Sequence, residues 1–283
     1  MIDIVTVVFR EELPILKVQA QSIDLYCQNI GLQTIYVMVN DDDSLINEID
    51  TAWWGSLANR VCILPRSVFS VNWAENGWLT QQLLKMLASS ISYNTWSMVL
   101  DAKTILIQPV DLNLLFDQER LRLGYYDIQP NWVFEPAVKI VNNLFNINMD
   151  KMIAPAGVPF FFNNNIIREL IAKVARLTNT DFPRWFQEQG MITEFALYTG
   201  FILYRDNTLD NVCVQLAQTP YNTPNICHSE VARFDIKFEN FLKPTALTTS
   251  IHRGAWAVIS TEQKERYQNY LLSKGITTAQ ELV

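Results

Sequence analysis

The sequence predicts an α/β fold, a single domain with a mostly parallel central sheet flanked by helices. Three observations carry this reading. Strand and helix signals alternate through the first hundred residues, the pattern of a parallel sheet with covering helices. No internal repeat, low-complexity run or flexible linker divides the chain. With 283 residues, 49% of them hydrophobic, the chain can bury a sizeable core.

The first strand is "DIVTVVF", a β-branched run, and Leu13–Gln28 follows at helical spacing with Leu16, Ala20, Ile23 and Cys27 on one face. "QTIYVMVN" is the second strand, ending in the acidic turn Asp41–Asp43, which can start a helix. "NRVCILP" is a third, stopped by Pro65. The helix "GWLTQQLLKMLASSI" carries Leu79, Leu83, Leu87 and Ile91 as a stripe, and "TWSMVLD" is the fourth strand. In such sheets ligands bind beyond the carboxyl ends of the strands, where Phe9-Arg10, Asn40-Asp41 and Asp101 fall.

The second half is less regular. "RLRLGYYD" reads as a strand and Pro136–Phe145 as a short helix. "VPFFF" is a strand leading through Asn163–Asn165 into "IIRELIAKVARL", whose apolar face is Ile166, Ile167, Leu170, Ile171 and Val174. "FPRWFQEQG" and "ITEFALYTGFILY" are two helical stretches separated by Gly190. Ser260 and Gln263 have capping-box spacing before the helix "EQKERYQNYLLSKG", which Gly275 closes.

A net charge of −7, with no dense cluster of Lys and Arg, argues against nucleic acid or anionic lipid as partner. A small ligand carrying its own phosphates needs only one or two cations. The aromatic content of 12%, with eight Trp, builds core and can also line sites for bases and sugars. Cysteines 27, 62, 213 and 227 show no CxxC or metal-type spacing and read as core residues of a reducing compartment. The N-terminus lacks a basic region and has Asp3 inside its apolar run, which argues against a signal peptide. No window of 18 apolar residues occurs, so no membrane span is expected. The expectation is a cytoplasmic protein.

A carboxylate closing a buried strand, as Asp101 does, is costly without a use, although Asp also forms turns. Lys103 stands two places on. Glu194 lies among Ile192, Phe195, Leu197 and Phe201, with Tyr198 one turn away. It is either buried and partnered, with its pKa raised towards that of a useful base, or it ends an exposed face. Gln81, Gln82 and Lys85 share the polar side of one helix, and for Gln81 a solvated face is the reading. His252 and Arg253 sit in "TSIHRGAW", while His228 has no evident partner.

The turn at Asp101 resembles the Asp-x-Asp site of nucleotide-sugar glycosyltransferases of the GT-A fold, where two carboxylates hold a divalent cation against the donor's diphosphate. "LTQQLLKML", "VPFFFNNNIIRELI", "MITEFALYTGFIL" and "IHRG" occur in an order similar to the bacterial and viral DUF6492 group, over roughly residues 1–255. The resemblance implies a GT-A-like domain over 1–283, with a nucleotide-sugar-binding half at 1–110, an acceptor and catalytic half at 111–255, and a C-terminal helical segment at 256–283. It also implies a glycosyltransferase performing hexosyl or related transfer from a nucleotide sugar to a glycan or other hydroxyl acceptor.

By the same resemblance Glu194 is the general base, and Thr6, Phe9, Arg10 and Asp41 lie where base and ribose bind. Gln82, Lys85, Asp101, Lys103 and Arg253 meet the donor, and Asp101 with His252 would hold Mn²⁺ or Mg²⁺. Asn163–Asn165 and Trp132 would face the acceptor, with helix capping an equally good account of the asparagines. The departure is Lys103, which replaces the second carboxylate and removes a hard oxygen ligand. Either Asp101 and His252 still hold a metal, or Lys103 itself meets the diphosphate, or the site is inactive. The competing reading is a non-catalytic nucleotide-sugar or glycan-binding protein on the same scaffold, and a third is an unrelated α/β protein in which these residues are structural.

Overall fold

Seven consecutive buried residues, Ile2–Val8, form the central strand β1, and the remaining elements assemble on it. The computed structural model describes residues 1–122, 124–129, 132–153, 158–216 and 220–282. Helix α1 (Leu13–Tyr26) returns the chain to β2 (Leu32–Val39), and β3 (Val61–Pro65) follows. Helix α2 (Gly77–Ile91) then leads to β4 (Trp96–Asp101). These four strands are parallel, with β1 between β2 and β4 and with β3 beyond β2. The expected face of the first helix is buried, since Leu16, Ala20, Ile23 and Cys27 all lie in the core.

After β5 (Ile105–Leu106) and α3 (Leu112–Leu115) the chain makes two short antiparallel strand pairs. They pair β6 (Phe116–Asp117) with β7 (Arg120–Leu121), and β8 (Tyr125–Asp127) with β9 (Lys151–Ile153). The stretch "RLRLGYYD" is therefore not one strand. Gly124, at φ +73°, turns the chain between two short pieces, and Leu123 lies outside the described residues. Helix α4 (Glu135–Phe145) connects β8 to β9.

Strand β10 (Phe160–Asn163) joins the main sheet beside β4 and runs antiparallel, giving the order β10-β4-β1-β2-β3. Three helices follow, α5 (Asn164–Thr178), α6 (Phe182–Glu188) and α7 (Glu194–Asp206). A second small sheet joins β11 (Asn225–Ile226), β12 (Thr248–Ile251) and β5. The chain ends with α8 (Phe234–Phe238), α9 (Arg253–Trp256) and α10 (Thr261–Ser273), the last opened by the Ser260/Gln263 capping box. Main-sheet strand β10 and small-sheet strand β5 cross the sequence boundary near residue 110, so the two halves share both sheets.

The amino edge of the main sheet is fastened by one carboxylate. Asp3 is fully buried and accepts hydrogen bonds from Thr34 N (2.9 Å), Asn94 Nδ2 (2.8 Å) and the Ser92 hydroxyl. Its place inside an apolar strand is thus structural. Asp3→Ala leaves three donors, one buried and two half-buried, without this acceptor and should cost about 2–3 kcal/mol, the scale of lost hydrogen bonds to a charged group. Urea denaturation measures this, and a loss below about 0.5 kcal/mol, typical of surface changes, would show that the edge is held by other contacts.

Candidate functional site

The order β3-β2-β1-β4 reverses direction at β1, and the crevice at the carboxyl ends of β1 and β4 is where such sheets accept ligands. The register pairs Val8 with Val39 and Val7 with Asp101, so Phe9, Asp41 and Asp101 follow or close their strands at one edge. The Asp41 carboxylate accepts from Arg10 N (3.2 Å) and Asp42 N (2.8 Å), tying the loops after β1 and β2 together. The Phe9 ring lies against Gly77, where a Cβ would come within 3.1 Å of it. The Arg10 guanidinium turns to Glu48 and to Ser44 Oγ. Thr6 is buried within β1 and its hydroxyl has no hydrogen-bond partner among the described residues.

Asp101 sits at the centre of an ionic cluster. Lys85 Nζ lies 2.6 Å from its Oδ1, and Lys103 Nζ lies 2.6 Å from its Oδ2. Gln81 Nε2 donates to Oδ1 at 3.2 Å. Lys85 reaches on to Glu194 Oε1 at 3.2 Å, and the Gln82 amide, with its nitrogen turned inward, donates to the same carboxylate. Lys85 is 2% exposed and Glu194 0%, whereas Asp101 and Lys103 show 14% and 22% of their side chains. From the far side Gln19 Nε2 holds the backbone oxygens of Asp101 (2.6 Å) and Thr104 (2.9 Å), which fixes the turn that presents Lys103.

Burial opposes the charged form of Asp101, but Lys103 and Lys85 outweigh it and hold the carboxyl well below the usual range. Burial likewise disfavours the Lys85 ammonium, and Asp101 with Glu194 reverses that and pushes its pKa up. For Glu194 burial prevails: its pKa is raised, opposed by Lys85 and reinforced by Asp101.

Beside the cluster lies a cavity of about 170 Å³, bordered by Lys103, Arg253, Glu11, Glu12, Ile251 and Trp256. Arg253 pairs with Glu11 at 2.6 Å. Glu12 accepts from Phe9 N at 3.2 Å, and burial raises its pKa against the pull of Lys103. His252 caps α9, its Nδ1 accepting from Gly254 N at 3.1 Å. Burial, Lys103 and Arg253 lower its pKa. His228 flanks the same Gly254, where a Cβ would stand 3.6 Å from the His228 Cβ, so the chain's two histidines converge.

Four expectations are corrected by this geometry. Glu194 exposes no surface, and Lys85 and Gln82 occupy its carboxylate, so in this conformation it meets no acceptor hydroxyl and instead holds Lys85. Gln81 is not on a solvated face; it is buried and bonded to Asp101, because α2 is enclosed on its polar side as well. Asp101 and His252 do not fit a divalent cation: both Asp101 oxygens receive ammonium groups and His252 Nδ1 receives a backbone N–H. Among the described residues no group of three or more His, Cys, Asp or Glu could hold a metal ion.

The acceptor-side expectation for Asn163–Asn165 also fails. Asn163 caps α5 and pairs with Trp96, at the amino end of β4 and away from Asp101. Trp132 packs edge-on against Tyr126 and Phe134. Gln19, Gln81 and Glu12 are site-forming residues that sequence reasoning missed. A glutamine at the helical spacing of Leu16, Ala20 and Ile23, on the face that α1 buries, was the available signal for Gln19.

Breaking a buried ion pair strands its partner, at about 3–5 kcal/mol. Lys85→Met should lose that much by urea denaturation, and adding Glu194→Gln should restore part of it, giving a coupling of at least about 0.5 kcal/mol. Strict additivity of the two changes would disprove the pairing. The pH dependence follows from the depressed carboxyl of Asp101. Its stabilisation is present above the unfolded value of about 3.9 and is lost as pH falls through the lower folded value. Glu194 acts in the opposite sense, costing stability as pH rises through its raised value. Asp101→Asn should therefore show its full deficit from neutral pH down to about pH 4, and the deficit should shrink only below that, as pH falls towards the depressed folded value. Stability curves still parallel well below about pH 4 would count against the depressed value.

Residues 6–270 match a protein family described as "Family of unknown function (DUF6492)". No curated protein matches the chain. Among solved structures, galactosyltransferase LgtC in complex with donor and acceptor sugar analogues gives a TM-score of 0.53 at 12% identity, over 96% of this chain and 95% of that one. An active-site mutant of LgtC gives 0.55 at 12% identity with the same coverage. At this identity the likeness shows the fold, which is that of GT-A glycosyltransferases. Among the described residues no helix is long and apolar enough to cross a membrane.

Proposed function

The chain belongs to the DUF6492 family, and from that premise we propose that it is a glycosyltransferase moving a sugar from a nucleoside-diphosphate donor to an acceptor hydroxyl. The observation that carries this reading is the Lys85–Asp101–Lys103 array, fixed at the carboxyl end of β4 beside the crevice where strand order reverses. The fold shared with LgtC, whose structure holds donor and acceptor sugar analogues, supports the same reading.

In this reading the nucleoside lies over the loops after β1 and β2, where the Phe9 face can stack on a base and Asp41 can accept ribose hydroxyls. The diphosphate faces Lys103 and Arg253 across the cavity they border. The anomeric C–O bond breaks with its electron pair on the diphosphate, the acceptor oxygen bonds the anomeric carbon, and the acceptor's proton is lost to solvent. Cations fixed beside the departing diphosphate stabilise the charge as it develops. Glu194 is a positioning residue in this scheme, since it holds the ammonium that holds Asp101. Gln82 acts through Glu194 in the same way.

A second reading, binding of a nucleotide sugar or glycan without turnover, is favoured by one observation: the carboxylate suited to base catalysis is fully buried. A panel of nucleoside-diphosphate sugars separates the two. At a hundred times its Kd the right donor should stabilise the protein by about 2.7 kcal/mol and raise Tm by roughly 5 °C. Donor hydrolysis or transfer under those conditions supports the enzyme, and a shift with no turnover supports the binding protein. If no nucleotide sugar moves Tm and none is consumed, both readings fall.

A further inference from the structure

The position that carries a metal-binding carboxylate in the GT-A pattern is occupied here by an ammonium, and the surrounding geometry is built around that ammonium. Lys103 Nζ is held 2.6 Å from Asp101 Oδ2. Its backbone turn is fixed from behind by Gln19, which binds the carbonyls of Asp101 and Thr104. The other Asp101 oxygen belongs to Lys85, at 2.6 Å. A divalent cation seeking Asp101 would have to displace an ammonium, and Glu194, enclosed and occupied, is not open to it as a second ligand.

The cavity beside Lys103 suits an anion despite its two acids. Glu11 is drawn off by Arg253 at 2.6 Å, and Glu12 is turned onto the Phe9 N–H, its ionisation opposed by burial. Lys103 remains partly exposed there, and an ammonium has three donors, of which Asp101 takes one. We infer that the Lys103 ammonium replaces the divalent cation, so that the donor's diphosphate is bound without metal. This rests on the glycosyltransferase reading above and specifies how that site takes its substrate.

The experiment is calorimetric titration of UDP, GDP, ADP and dTDP, first into EDTA-treated protein and then with Mn²⁺ present. At least one nucleotide should bind, with affinities in the two conditions agreeing within roughly threefold. Lys103→Ala should weaken it by roughly ten- to a hundredfold in both conditions, the worth of a charge-assisted hydrogen bond. Lys103→Arg should retain binding. Lys103→Asp, which restores paired carboxylates, should bind only when Mn²⁺ is supplied. Because Lys103 is partly exposed, these variants should keep the wild-type circular dichroism spectrum, and that spectrum is the control for folding.

Wild-type binding that EDTA abolishes and Mn²⁺ restores would overturn the inference while leaving the glycosyltransferase reading intact. So would Lys103→Ala binding as tightly as the wild type. If no nucleoside diphosphate binds under either condition, the functional reading fails and this inference fails with it.

Discussion

The candidate site depends on one buried ammonium. Lys85, carried by α2, touches Asp101 at the end of β4 and Glu194 at the start of α7, residues 16 and 109 positions away in sequence. A lysine enclosed to this degree is unfavourable unless carboxylates surround it, and two carboxylates so close are unfavourable without the lysine. Each charge therefore requires the others. This mutual requirement joins a helix, a strand and a second helix at one point, and it fixes where the Asp101 carboxylate can point. Gln81 and Gln82 complete the arrangement by giving each carboxylate one further donor from the same helix.

The two edges of the main sheet divide the work between them. At the amino edge, Asp3 collects three donors from two segments, β2 and the turn before β4, and Asn164 reaches Ser92 and the Asn94 carbonyl nearby. Those bonds are inward and close the edge. At the carboxyl edge the polar groups are layered, with Lys85 and Glu194 enclosed, Asp101 at the boundary, and Lys103 and Arg253 at the cavity. Polarity graded from a rigid interior to a ligand-accessible rim is the arrangement that holds a binding group still while leaving it reachable.

Much of this was legible in the sequence, and the residues show why. Strand–helix alternation and β-branched runs are local signals, so β1 to β4 and their two longest covering helices could be read directly, and Asp101 was marked by ending a buried strand. Glu194 was legible as an acid in an apolar run, but its partner was not, because nothing local links it to Lys85. The polar side of α2 misled for a related reason. Helical periodicity separates apolar from polar residues, yet it does not tell whether a second layer of structure covers the polar side, as α7 does here. The two-residue strands β5, β6, β7 and β11 carry too little pattern to be distinguished from loop.

Charge counting links the departure at Lys103 to the rest of the cluster. With lysine at that position, two ammonium groups face two carboxylates, Lys85 and Lys103 against Asp101 and Glu194, and the formal charges cancel. A carboxylate at position 103 would set three acids against Lys85 alone and leave two uncompensated negative charges, the charge that one divalent cation neutralises. The substitution and the poor fit for a metal are thus one electrostatic fact. Because the Lys103 ammonium is covalently attached, its position is set by the turn that Gln19 holds, whereas a metal would have to be gathered from solution by a ligand cluster that the described residues do not form.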